Sequence, residues 1–262
     1  MNVPFPANIG ESATSLAARG FDARGLSHRG LVRVHNEDAW YADRRLGLAM
    51  AADGVGGHAN GALASQGAVG CISDYLRRVM ARSPRLGRAE QEKAVSRAIA
   101  FANKRLVAVN GAVADMKDRC GTTIVGLWAP YGTDGSATVF HVGDSRMYLL
   151  RKDGGLEPLT RDHSAYQQWL DTGSRGSPPP KSYILQALGL SNVVPDVISI
   201  DIAAGDRFLL CTDGLSNGVA ADEMQAVMTE SANLQTACER CISLGLARGG
   251  NDNLTSVVGA FS

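Results

Sequence analysis

Asp53 ends the apolar run Leu46-Gly-Leu-Ala-Met-Ala-Ala52 and opens a glycine-dense turn, Gly54-Val55-Gly56-Gly57-His58. A carboxylate at the end of a buried strand is costly unless a cation or hydrogen bonds compensate it. Chemistry therefore explains Asp53 better than packing does. Two chemistries compete: a glycine loop that cradles phosphate, and a set of metal ligands at strand ends.

The phosphate-loop reading rests on Gly54-x-Gly56-x-x-Ala59, a loose dinucleotide fingerprint between a strand and a helix. That fingerprint also needs an acid about 20 residues on, at the end of the next strand. Asp74 has the spacing, but it falls inside a helical pattern and a second helix follows. The strand–helix–strand unit is missing.

The metal reading gains support along the chain. Phe208-Leu-Leu-Cys-Thr212 is another buried-strand run, and it ends in Asp213-Gly214. Asp144 follows a strand and a glycine, Asp252 stands before the last strand, and Glu37-Asp38 precedes a strand. Any one Asp-Gly is a common turn; so many strand-end acids beside glycines, with Arg33 nearby, are not explained that way. An all-oxygen donor set suits Mg²⁺ or Mn²⁺, whereas zinc prefers Cys and His. A cluster of that size can hold two ions, which activate water and clamp an oxyanion.

Other candidates are weaker. Cys238 and Cys241 lie on a helical stripe with Leu234 and Ala237, and no second cysteine pair completes a zinc site. His28, His35, His58, His141 and His163 show no metal-ligand spacing, and His58 is placed better as a cap than as a proton shuttle. No Gly-x-Ser-x-Gly is present. Arg77, Arg78 and Arg82 read as a solvated helix face.

The elements that must position the acids follow from periodicity. Strands are expected over Phe21–Ser27, Ala39–Ala42 and Leu46–Ala52. Ala68, Ile72, Leu76 and Val79 predict a helix ending near Ser83-Pro84, and Val95 to Val113 predict a second, antiparallel to it. Strands follow over Thr122–Trp128, Thr138–Val142 and Arg146–Arg151, the last two joined by the tight turn Gly143-Asp144-Ser145. A short helix covers His163–Asp171, and Ser174–Ser182, with three consecutive prolines, is an irregular loop. Strands at Val197–Ile202 and Arg207–Thr212, helices at Ala221–Met228 and Leu234–Leu246, and a strand at Leu254–Phe261 complete the chain. Clustered strands predict antiparallel sheets flanked by helices, an α+β fold.

The 262 residues, 45% hydrophobic and 20% charged, suffice for a sizeable core. Lys+Arg and Asp+Glu are 26 each, a balance that argues against a chain built to coat nucleic acid. No run approaches the roughly 18 apolar residues of a membrane span. Residues 1–20 read as a flexible leader with a short helix near Ser12–Arg19, and 21–262 as one catalytic domain. Five cysteines without repeated spacing point to reduced thiols in the cytoplasm.

Seven motifs together resemble the metal-dependent Ser/Thr protein phosphatases of the protein phosphatase 2C (PPM) family. They are Gly30-Leu-Val-Arg33-Val-His-Asn36-Glu37-Asp38, Ala52-Asp53-Gly54-Val-Gly-Gly-His58, Cys120-Gly121-Thr122-Thr123, Val142-Gly143-Asp144-Ser145-Arg146, Leu159-Thr-Arg-Asp162-His163-Ser164, Thr212-Asp213-Gly214-Leu215 and Gly250-Asn251-Asp252-Asn253-Leu254-Thr255. They occur in the family's order from about residue 25 to the end.

The resemblance implies a four-layer αββα sandwich and two Mn²⁺ or Mg²⁺ ions. Asp53 would bridge both ions, Gly54 would offer its carbonyl, and Asp213 and Asp252 would complete the first site. Glu37 and Asp38 resemble water-mediated holders of the second ion, and Asp144 the ligand of a weak third. Arg33 matches the residue that grips the substrate phosphate. The residues implied in catalysis are thus Arg33, Asp53 and Asp38, and the implied reaction is in-line attack on phosphorus by metal-bridging hydroxide.

Three departures stand out. Val55 replaces a histidine proposed as general acid in some eukaryotic members. Asn217 stands where the family often has an acid that helps hold the third ion. The segment after Asp171-Thr172-Gly173 is short and proline-rich where the family has a longer flap. The expected protein is a monomeric bacterial phosphoprotein phosphatase opposing a Ser/Thr kinase, with no nucleic-acid partner and no membrane insertion. A catalytically impaired, phosphoprotein-binding regulator of the same fold is the alternative.

Overall fold

The computed structural model describes residues 20–56, 59–113, 119–131, 135–152 and 154–262. His58 and the leader, apart from Gly20, lie outside them. The chain opens with β1 (Phe21–His28), β2 (Ala39–Asp43), β3 (Leu48–Ala52) and the two-residue β4 (Gly54–Val55). Helices α1 (Ala59–Arg82) and α2 (Arg88–Gly111) follow in succession. Next come β5 (Gly121–Thr122), β6 (Ile124–Trp128), β7 (Ser136–Val142), β8 (Arg146–Leu150) and β9 (Leu156–Pro158). The remainder is α3 (Ala165–Asp171), β10 (Asp196–Asp201), β11 (Arg207–Cys211), α4 (Asp213–Ser216), α5 (Ala221–Glu230), α6 (Leu234–Ala247) and β12 (Leu254–Phe261).

Two five-stranded antiparallel sheets result, in the orders β1-β12-β11-β8-β9 and β10-β7-β6-β3-β2. Period-two alternation explains how they stack. In β3, Leu48 and Met50 pack toward α1 and α2, while Ala49 and Ala51 face the other sheet. Small residues on the inner face let the sheets approach, and Phe208, Leu210, Met147 and Val257 fill the space from the opposite side. The outer face of the first sheet, with Leu209, Cys211 and Val258, packs on α5 and α6. Three cores between four layers make the αββα sandwich. Because both faces of the central strands are covered, those strands read as continuous apolar runs rather than alternating ones.

The turn Gly143-Asp144-Ser145 does not close a hairpin. It follows β7 of the second sheet and leads into β8 of the first, so the chain crosses between layers there. Ala204-Gly205-Asp206 makes the same crossing from β10 to β11. At Gly143 the backbone has φ +107, and a Cβ would lie 2.6 Å from Thr123 Cγ2, so glycine is required at this point. The expected strand Thr122–Trp128 divides at Thr123, whose backbone is used elsewhere. Asp213 does not merely end a strand; it opens the short helix α4.

Cys238 and Cys241 are 0% and 1% exposed within the α6 core, as their helical stripe predicts. Among the described residues, no helix is long and apolar enough to cross a membrane. Helix α1 tolerates Gly70 at some cost, since a Cβ there would meet nothing within 4 Å. Gly70→Ala is expected to stabilise the fold by about 0.5–1 kcal/mol, seen as a higher urea midpoint with unchanged slope.

Candidate metal centre

Antiparallel register gathers the acidic residues at one end of the sandwich. In the second sheet Ala39 pairs with Ala52 and Ile124 with Val142, so Asp38, Asp53 and Asp144 leave the same edge. In the first sheet Cys211 pairs with both Arg146 and Ser256, which brings Asp213 and Asp252 to the matching edge. The acids thus meet on a rim between the two sheets.

Uncharged residues hold that rim. The Asp53 peptide is clamped from both sides: its N–H donates to Thr123 Oγ1 (2.9 Å), and its carbonyl accepts from Thr123 N–H (2.9 Å) and Thr122 Oγ1 (2.9 Å). Thr123 Oγ1 also shares a hydrogen bond with Ser145 Oγ at 2.7 Å. Asp38 Oδ2 accepts from Thr255 Oγ1 (2.6 Å) and Thr212 Oγ1 (2.8 Å), both from the opposite sheet. The Asn253 side chain accepts from the Glu37 N–H (2.8 Å) and donates to the carbonyls of Arg29 and His35. One amide thereby fixes the loop that carries Arg33. Thr122, Thr123, Thr212, Thr255 and Asn253 sit within the motifs quoted above, yet nothing in their types announced these roles.

Gly54 and Gly61 share a close approach. A Cβ on Gly54 would lie 2.2 Å from Gly61 O and 2.6 Å from Glu37 O, and one on Gly61 only 2.0 Å from Glu37 Oε2. Gly54 N–H and Ser65 Oγ both donate to the Glu37 carbonyl. The glycines after Asp53 therefore serve the packing of β4, α1 and Glu37. Gly61 itself carries no recognisable signal in the sequence.

The electrostatics match a site for cations. Burial, then repulsion from Asp213 and Asp252, outweighs the threonine hydrogen bonds and pushes the Asp38 carboxyl up to about 7. Burial, then Asp213 and Asp162, brings Asp144 to about 7. Asp53 is raised well above the ordinary carboxylate range by burial and by Asp38, Asp213 and Asp144, and Asp213 is raised chiefly by burial. Arg33 Nη2 donates to Asp252 Oδ2 at 2.7 Å. Burial works against its charge, but the Asp252 contact and the fields of Asp53 and Glu37 outweigh it and raise its pKa.

Three buried carboxylate oxygens, Asp38 Oδ1, Asp144 Oδ1 and Asp213 Oδ1, have no hydrogen-bond partner. Orphaned acceptors of this kind are unfavourable without a compensating donor or cation. An all-oxygen rim with open lone pairs fits hard divalent ions. Asn217 Nδ2 donates to Asp213 Oδ2 at 3.1 Å, so a neutral amide occupies the position beside that acid. Among the described residues, one trio of metal-capable side chains has donor atoms all within 4.8 Å of one another; it is His141, His163 and Asp196, outside this rim.

The protein phosphatase 2C family model matches residues 24–247. PstP, a serine/threonine protein phosphatase of Mycobacterium tuberculosis, is 35% identical over 243 residues, which span 88% of this chain and 43% of PstP. The serine/threonine phosphatase stp of Listeria innocua is 33% identical over 236 residues, spanning 87% of this chain and 90% of stp. The crystal structure of the PstP catalytic domain in complex with two manganese ions superposes with a TM-score of 0.79 at 32% identity, covering 92% of this chain and 98% of that one. The chain therefore spans less than half the length of one relative and nearly all of another. Sandwich, motif order and matched length agree: the chain belongs to the protein phosphatase 2C family.

Proposed function

We propose that residues 21–262 form a metal-dependent phosphatase domain that hydrolyses phosphoserine and phosphothreonine in proteins. The observation that carries this reading is the buried acidic rim, with three oxygens lacking partners and Arg33 at its edge. Asp53, Gly54, Glu37, Asp38, Asp213 and Asp252 are the residues to hold two Mn²⁺ or Mg²⁺ ions, and the two manganese ions in the PstP structure support that number. Bound there, the ions supply positive charge for the phosphoryl oxygens and a water of lowered pKa.

The chain's own residues do the rest. Arg33, exposed at the rim, swings from Asp252 to grip two phosphoryl oxygens with its planar fork. Asp38 Oδ1, the oxygen that Thr212 and Thr255 leave open, would hold the second ion through a water and is placed to take up that water's proton. Thr122 and Thr123 keep the Asp53 backbone from shifting as charge develops. Asp144 is a weak site for a third ion, since Asn217 brings no negative charge to its neighbour Asp213. To the segment 174–182, largely exposed and without regular structure, we assign a part in substrate choice, since loops of this kind carry specificity. The chain's five cysteines are all free, which suits a cytoplasmic protein; we place the protein there as a monomer opposite a Ser/Thr kinase.

Phosphate release from a phosphothreonine peptide, titrated with Mn²⁺ and Mg²⁺, is the test. Release that depends on either ion is expected, and folded protein inert with both overturns the reading. Arg33→Ala is expected to lower kcat/KM about 10- to 100-fold, mostly through KM.

A further inference from the structure

Two histidines that the phosphatase reading leaves unused stand side by side. His141 is directly opposite Asp196 in the β7–β10 register. His163, from the segment after β9, packs on it with ring centroids 4.2 Å apart. A single oxygen, Asp196 Oδ2, lies 3.3 Å from His163 Nε2 and 3.7 Å from His141 Nδ1. His141 is 2% exposed, and its Nε2 has no hydrogen-bond partner. Its other ring nitrogen, Nδ1, is the one that faces Asp196 and would be the donor to a cation. An open cleft of about 470 Å³, lined in part by His141, Asp196 and Thr160, leads to the group from solvent.

We propose that His141, His163 and Asp196 form a binding site for a divalent cation of the zinc or nickel class, separate from the acidic rim. Two imidazoles and one carboxylate are the donor set for such ions, whereas the all-oxygen rim selects harder ones. Two of the three donor pairs have suitable spacing as well, and the three donors lie within 4.8 Å of one another. Bonds of about 2.0–2.1 Å in tetrahedral geometry put neighbouring donors about 3.3–3.4 Å apart. The His163–Asp196 pair is already at that distance, and the His141–Asp196 pair is within a few tenths of an ångström. Asp196 is more than half exposed and free to adjust, which leaves the fourth position to water.

Proton placement links the site to the rim. His163 Nδ1 accepts from Gly143 N–H at 3.3 Å, so the neutral ring carries its proton on Nε2, facing Asp196. Ligation through Nε2 moves that proton to Nδ1, with no net release, and Nδ1 then ceases to accept from Gly143. The second tie, His163 N–H to the Gly143 carbonyl (2.7 Å), survives. A bound cation therefore loosens the turn that presents Asp144.

The test is calorimetric titration of Zn²⁺ into Asp53→Asn/Asp213→Asn protein, in which the acidic rim is disabled. One equivalent is expected to bind, while Mg²⁺ gives no comparable heat. Adding Asp196→Asn or His163→Gln is expected to weaken Zn²⁺ binding at least about tenfold. Asp196→Asn is the deciding variant, because that exposed side chain is not needed for folding. No Zn²⁺ binding in the double variant, or affinity unchanged by Asp196→Asn, overturns the proposal.

Discussion

Asp53→Asn is expected to have two opposite effects: loss of phosphate release by at least about 10³-fold, and a more stable metal-free protein. The second follows from charge. Asp38 and Asp144 titrate near 7, and Asp53 and Asp213 are raised as well, because burial and mutual repulsion disfavour the ionised forms. In the unfolded chain each aspartate titrates near 3.9. Between about pH 4 and pH 7 the folded state therefore holds protons that the unfolded state has lost, so stability falls as pH rises through that window. Above it Asp38 and Asp144 are ionised in both states, and their part of the dependence flattens.

Replacing Asp53 by its neutral isostere removes an acid whose ionisation burial and the neighbouring carboxylates oppose, and with it the repulsion that grows as the pH rises. In EDTA at pH 7.5 the variant should melt about 5 °C or more above the wild type, and its melting temperature should fall less between pH 5 and 7.5. Saturating Mn²⁺ should reverse the order, since only the wild type gains strongly from ligand binding. Scanning calorimetry at three pH values, with and without Mn²⁺, makes the comparison. A wild-type melting temperature that rises from pH 5 to 7.5 in EDTA would contradict it.

The same charge pattern explains which parts of the site were legible in the sequence. Asp53 and Asp213 stand out because an acid at the end of an apolar run has no packing explanation, and the strand ends could be placed from β-branched and apolar runs alone. What those runs do not reveal is which sheet each strand joins. The crossing at Gly143 was visible as a turn, yet a turn between two strands has the same composition whether it closes a hairpin or changes layers. Thr122, Thr123 and Asn253 were invisible as scaffolding for a different reason. Their hydrogen bonds reach backbone 70 residues away for Asp53–Thr123 and 216 away for Glu37–Asn253, and a neutral polar residue does not declare its partner. His141 and His163 show the same limit. They are 22 positions apart in sequence, without ligand spacing, and only the β7–β10 pairing and the path out of β9 bring them to Asp196.

Gly61→Ala is the sharpest test of how the rim is shaped, because it separates geometry from stability. The added Cβ would fall 2.0 Å from Glu37 Oε2 and 3.0 Å from the Gly54 carbonyl oxygen. Glu37 Oε2 is the far end of a flexible side chain, so the carboxylate can move away at little cost to the fold. Alanine also favours helix over glycine by about 1 kcal/mol, which offsets part of the remaining crowding. The global stability of the metal-free variant should therefore stay within about 1 kcal/mol of the wild type. The site should fare worse, for the displaced Glu37 carboxylate and the crowded Gly54 carbonyl are both groups assigned to hold an ion. The concentration of Mn²⁺ giving half-maximal phosphate release is expected to rise about 10- to 100-fold, with turnover partly recovered at high Mn²⁺. Gly70→Ala, on the same helix but facing open space, leaves that concentration unchanged. Equal Mn²⁺ dependence in the two variants would mean that Glu37 and Gly54 do not contribute to metal binding through the contact seen here.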